Sequence, residues 1–172
     1  MVDMASEANT GTGTPDDLAR LAELADALAD GIERVLPAWV LRQVQSRLVS
    51  WSGSATAEAA IADRARAAGR QAQVEIGSRV RRVLSADIDE QRVNPLAVVR
   101  GAVRYPTDVL RHAGVPPVER DAHARRQFPD DDYDLTPGAF ADLDPSLQGP
   151  GMMWGAAKAY VYRQRRRAEG KL

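Results

Sequence analysis

The sequence predicts an all-α fold, an irregular bundle of about five to seven helices with a long proline-rich connection before the last one. Three observations carry this. Apolar residues recur at spacings of three and four through most of the chain, the pattern of one face of a 3.6-residue helix. No stretch alternates apolar and polar residues over a useful length, as a half-buried strand does. Pairs of a capping residue and a proline, at Thr14-Pro15, Asn94-Pro95, Thr136-Pro137 and Asp144-Pro145, mark places where helices start.

Residues 1–13 are polar and without periodicity, so a disordered tail is expected there, with a helical domain over 14–172. That domain divides naturally into a hairpin region, 14–86, and a C-terminal region, 94–172. Thr14 can cap the first helix, Pro15 fits its first position, and Asp16 and Asp17 suit the positive end of its dipole. Leu18, Leu21, Ala25, Leu28, Ile32 and Val35 then form a seam that wants a partner helix. The seam is short for a coiled coil, which favours a partner within the domain. Pro37 is expected to break this helix, because an interior proline costs about 3 kcal/mol. A second helix would carry Val40 or Leu41, then Val44, Leu48 and Trp51, and stop at Ser52-Gly53-Ser54. A third, from Thr56 to Ser85, has small residues along its middle, so that another helix can approach closely.

After a polar connector at 87–92, Asn94-Pro95 opens a run that Pro106 should kink or divide, and Gly114 should end it. A short helix from Pro117 to Gln127 precedes the acidic segment Phe128 to Pro137. One-turn helices around Phe140 and Leu147 follow, Gly149-Pro150-Gly151 breaks the chain again, and Met152 to Ala168 is the last helix.

Alanine supplies much of the apolar content and only 5% of the chain is aromatic, so the core must rest on Leu, Val, Ile and three tryptophans. There is no cysteine, hence no disulfide, thiol nucleophile or thiolate metal site, and a cytoplasmic location is expected. The N-terminus lacks the basic start and apolar run of a secretory signal, and no window approaches the roughly 18 apolar residues of a membrane span. The net charge of −1 hides blocks of opposite sign. Residues 1–33 hold eight acids against one base, 34–126 sixteen bases against nine acids, 127–157 six acids alone, and 158–172 six bases against one acid. Such blocks can pair within the chain or between copies, and a near-neutral total argues against a dedicated nucleic-acid binder.

Candidate sites are few. Asp130, Asp132 and Asp134 alternate like calcium ligands, but Leu135 stands where a glycine is needed and Ala141 where a bidentate glutamate is needed. The acidic segment reads better as a loop paired to arginines, or as a recognition loop using Phe128, Asp130, Asp132, Tyr133 and Asp134. Asp108 and His112, like Glu119 and His123, are four apart; without a further histidine or any cysteine they suit surface ion pairs rather than a metal. No metal, cofactor or catalytic residue is therefore assigned. No nucleophile elbow and no phosphate-binding glycine loop is present. In the last helix Met152, Met153, Ala156, Ala157, Tyr160 and Val161 can form an apolar face, with Trp154 on its edge, ahead of Arg163, Arg165, Arg166 and Arg167, arginines that could contact phosphates, joined by Arg79, Arg81 and Arg82 if they share a surface.

The stretches Asn94-Pro95-Leu96, Arg104-Tyr105-Pro106-Thr107, Asp132-Tyr133-Asp134-Leu135-Thr136-Pro137 and Trp154-Gly155-Ala156-Ala157-Lys158-Ala159 resemble a family of uncharacterised small helical proteins of high-GC Gram-positive bacteria. The resemblance implies a bacterial cytoplasmic setting and no activity. The functional expectation is a non-catalytic helical protein that self-associates or docks to a protein partner. The alternative is a nucleic-acid or ribosome accessory protein using the arginine-rich end. An enzyme would need a concave pocket that gathers His112 or His123 with carboxylates.

Overall fold

A computed structural model describes residues 15–53, 58–86, 96–137 and 139–171; for residues 96–99 and 127 it describes the backbone alone. The expected tail at 1–13, the Thr14 cap, the Thr56 helix start, the 87–92 connector and the Asn94-Pro95 start lie outside these residues. Among the described residues every regular element is helical: α1 (Pro15–Ser52), α2 (Glu58–Ser85), α3 (Leu96–His112), α4 (Ala122–Gln127), α5 (Phe140–Leu143), a 3-10 turn (Pro145–Leu147) and α6 (Gln148–Ala168). None of these helices is long and apolar enough to cross a membrane.

Pro37 does not break the first helix. α1 runs unbroken for 38 residues, about 57 Å at 1.5 Å per residue. The proline removes one hydrogen bond and costs about 3 kcal/mol. Val35, Leu36, Trp39 and Val40 are all buried around it, and a large side chain contributes about 1.5–3 kcal/mol when fully buried. Packing therefore outweighs the lost bond.

α2 lies antiparallel on α1. Gly69 of α2 meets Pro37 of α1, and further along α2 Gly77 faces Glu33 and Arg81 reaches Asp26 and Asp30. A Cβ on Gly69 would sit 2.7 Å from the Pro37 carbonyl oxygen, so glycine is what lets the two backbones touch. Ala65, Ala68 and Ala72 are buried beside it, the close approach that the small-residue stripe predicts. The seam of α1 finds its partner here: Ala25, Leu28, Ile32 and Val35 are buried, whereas Leu18, near the start, is half exposed.

α3 packs on both α1 and α2 through Ala102, Val103 and Leu110 and passes through Pro106 as one helix rather than two. It ends as expected at Gly114, whose φ is 77°, with the Gly114 and Val115 amides bonded back to the Arg111 and Leu110 carbonyls. α4 is shorter than expected. Residues 117–120 run beside the acidic segment instead, where the Val118 amide donates to the Asp132 carbonyl at 2.8 Å, and Asp121 caps the helix through the Ala124 amide at 2.8 Å.

Asp144 caps the 3-10 turn through the Ser146 amide at 2.8 Å, as its place before Pro145 predicts. Ala139, not Thr136, occupies the cap position of α5. The 3-10 turn drives Leu147 onto Gly31 of α1. α6 then begins ahead of the glycine-proline-glycine run that was expected to break the chain. Pro150 falls in its first turn, where a missing amide hydrogen costs nothing. Trp154 seats α6 on the shared core, fully buried, and Lys158 reaches the Ala86 carbonyl after α2 at 3.3 Å.

Candidate functional site

The acidic segment is organised by an aspartate that the sequence pattern passes over. Asp131 has a side chain with no exposed surface. Its carboxylate accepts from the amides of Leu135 at 2.8 Å, Thr136 at 3.0 Å and Tyr133 at 3.3 Å, and from the Thr136 hydroxyl. Arg120, with only 9% of its side chain exposed, lies 3.2 Å away and also donates to the Asp131 carbonyl at 2.7 Å. A cation and several donors thus replace the water that the buried carboxylate loses. This knot folds the segment back on residues 115–120 and turns the chain through Asp134, whose φ of 57° is the left-handed conformation that aspartate tolerates better than most residues.

The five expected recognition residues are thereby separated. Tyr133 is not a surface anchor: it is 2% exposed and its hydroxyl donates to the Val115 carbonyl at 2.9 Å. Burial pushes its phenol pKa up. Phe128 is half-buried beneath the Arg100 guanidinium, 5.7 Å from the ring centre. Asp132 is bound to Arg111 at 2.6 Å, while Asp130 and Asp134 are exposed. Among the described residues no three acids or histidines gather as a metal site.

The histidine pairs do not form as the spacing suggests. His112 donates from Nδ1 to the Asp108 backbone carbonyl at 2.6 Å, and the Asp108 carboxylate turns to Arg111 at 3.1 Å. Glu119 precedes α4, so it shares no helix face with His123. His112 does line a concavity, a groove of about 790 Å³ between α2 and α3. Within it the Tyr105 hydroxyl donates to Glu75, which also accepts from Gln71 at 3.0 Å. The Tyr105 bond holds Glu75 below the usual carboxylate range, while burial and then Glu75 push Tyr105 up to about 12. At neutral pH the pair is a carboxylate and a phenol committed to each other, poorly placed for general acid–base work.

The arginines separate in the same way. Arg81 is held by Asp26, Asp30 and Glu33 of α1, which joins the first acidic block to the basic one within the chain. Arg165 pairs with Glu169 at 3.3 Å and Arg166 reaches the Lys171 carbonyl at 3.5 Å. Arg163 and Arg167 point outward. They share a helix face with Met152, Met153, Ala156 and Tyr160, because residues three, four and seven apart lie in line. Met152 is 68% exposed, Met153 49% and Tyr160 51%, and Trp154 is the single buried residue of all 21 in α6.

No protein-family model, curated protein or solved structure matches this chain.

Proposed function

We propose that this is a non-catalytic helical interaction protein that associates with a second copy of itself through the outward face of α6. The observation that carries the reading is the burial pattern of that helix. A long helix held by one tryptophan presents two methionines and a tyrosine to water, and contiguous exposed apolar surface rimmed by polar groups marks interaction sites. Methionine suits such a surface because its flexible, polarisable side chain adapts to a partner. A second copy supplies a complementary surface: the first turns of α1 expose Leu18 near Asp16 and Glu23, opposite in charge to Arg163 and Arg167. Each copy carries both surfaces, so the contact can close with two-fold symmetry. Light scattering over a concentration series tests this. Dimer growth is expected, weakened by salt and abolished in Met153→Glu/Tyr160→Glu. A strict monomer throughout refutes it.

One observation favours a second reading, a nucleic-acid accessory role. Tyr160, Arg163 and Arg167 line up on one exposed face, a base-stacking ring beside two phosphate-binding groups. It requires RNA or DNA binding at low salt that falls steeply as salt rises and is lost in Arg163→Ala/Arg167→Ala. Absence of binding at low salt removes it.

A further inference from the structure

The groove between α2 and α3 has an apolar floor of partly exposed Val83, Val109 and Ala113, over buried Ile76 and Val80, and a rim of polar side chains. Its hydrogen-bonding capacity can be followed group by group. Glu75 is engaged by Tyr105 and Gln71, Asp108 by Arg111, and His112 Nδ1 by a backbone carbonyl. Arg64, Arg79 and Arg104 make no hydrogen bond or ion pair among the described residues, although all three line the groove. Besides the second nitrogen of His112 and the amide oxygen of Gln71, what the groove leaves unused is apolar floor and cationic donors.

Charge narrows the occupant further. Arg79 and Arg104 both lie within electrostatic reach of Glu75 and of Tyr105, so they sit around the same carboxylate. Two guanidiniums against one carboxylate leave one positive charge at that point. A single negative headgroup balances it, and Arg64, the third arginine of the groove, lies eleven residues before Glu75 along α2. A guanidinium offers a planar fork that matches a carboxylate in geometry. The volume, about 790 Å³, falls within the range of small-molecule pockets.

We propose that the α2–α3 groove binds an amphipathic carboxylic acid, its apolar body on Val83, Val109 and Ala113 and its carboxylate between Arg79 and Arg104. This site is separate from the α6 face and does not depend on self-association.

Decanoate is a suitable probe, titrated into the nitrogen-15-labelled full chain and followed by NMR. Saturable one-to-one shifts are expected at the amides around Gln71–Val83 and Gly101–Ala113. Arg79→Ala/Arg104→Ala should weaken binding at least about tenfold, a loss that corresponds to 1.4 kcal/mol, while Arg79→Lys/Arg104→Lys keeps part of it. Decanol, which has the same tail without the charge, should bind at least about tenfold more weakly, and acetate should not bind. All the substituted positions are exposed, and an unchanged spectrum away from the groove shows the variants folded. The proposal is overturned if decanoate fails to bind, if its shifts map to α6, if the alanine variant binds as well as the parent, or if decanol binds equally.

Discussion

Replacing Asp131 by alanine tests whether the acidic segment is a structural knot or a surface loop. The carboxylate has no exposed surface and meets Arg120, three backbone amides and a hydroxyl. Its removal leaves the Leu135 and Thr136 amides without their partner and a nearly buried guanidinium with only backbone carbonyls and the more distant Asp134 carboxylate, 3.9 Å away, to answer its charge. Breaking a buried ion pair from one side costs about 3–5 kcal/mol, because the remaining charge stays desolvated. At about 2–4 °C per kcal/mol for a chain of this size, the midpoint of thermal unfolding should fall by roughly 6–20 °C. The loss should be local as well as global. Hydrogen exchange at Leu135 and Thr136 should accelerate by about tenfold for every 1.4 kcal/mol lost. Arg120→Met should recover part of the stability in the Asp131→Ala background, since it removes the stranded charge. Circular dichroism and exchange mass spectrometry read both effects. An Asp131→Ala protein within about 1 kcal/mol of the parent, with unchanged exchange, would refute the buried-pair reasoning.

Other predictions rest on separate features. Gly69→Ala should destabilise by about 1–3 kcal/mol, because a methyl there strikes the Pro37 carbonyl at 2.7 Å; Gly77→Ala, where the nearest atom is Glu33 Cγ at 3.9 Å, should stabilise by about 0.5–1 kcal/mol, and denaturant titration separates the two. Trp154→Ala should cost about 3–5 kcal/mol and loosen α6, read by exchange along that helix. In an ultraviolet titration Tyr105 should ionise near pH 12, and Tyr105→Phe should remove that step. Since its folded pKa is raised above the ordinary 10.0, its contribution to stability is whole below pH 10 and disappears as pH rises towards 12.

Helical periodicity was legible because burial imposes it: Leu28, Ile32, Val35, Val40, Val44 and Leu48 all face the core as their spacing requires. The misreadings come from assigning local rules to positions that tertiary packing controls. Pro37 and Pro106 lie inside continuous helices because each forfeits one hydrogen bond while its neighbours are buried. Gly69 looks like a helix liability in one dimension and is a contact point in three. The acidic segment shows the same limit at the level of a site. Asp130, Asp132 and Asp134 drew notice for their alternation, yet the buried carboxylate is Asp131, and Tyr133 with it turns inward. What selects Asp131 is its reach to the amides of residues 133, 135 and 136, which exists only once the turn has formed. The clue within the sequence was modest: an aspartate followed closely by threonine and proline, a pattern common to many turns. Likewise nothing in the spacing of Arg64, Arg79 and Arg104 announces that two helices bring them to one groove.

The outward face of α6 is the centre of the functional account, and the absence of cysteine from the chain allows it to be probed directly. Leu18→Cys and Ala156→Cys chains, mixed in equal amounts under mild oxidation, report whether α1 of one copy lies on α6 of another. A mixed disulfide between the two variants should form faster than either homodimer and fade as salt rises or when Tyr160→Glu is added. No preferential mixed disulfide, at concentrations where both variants are folded, would contradict it.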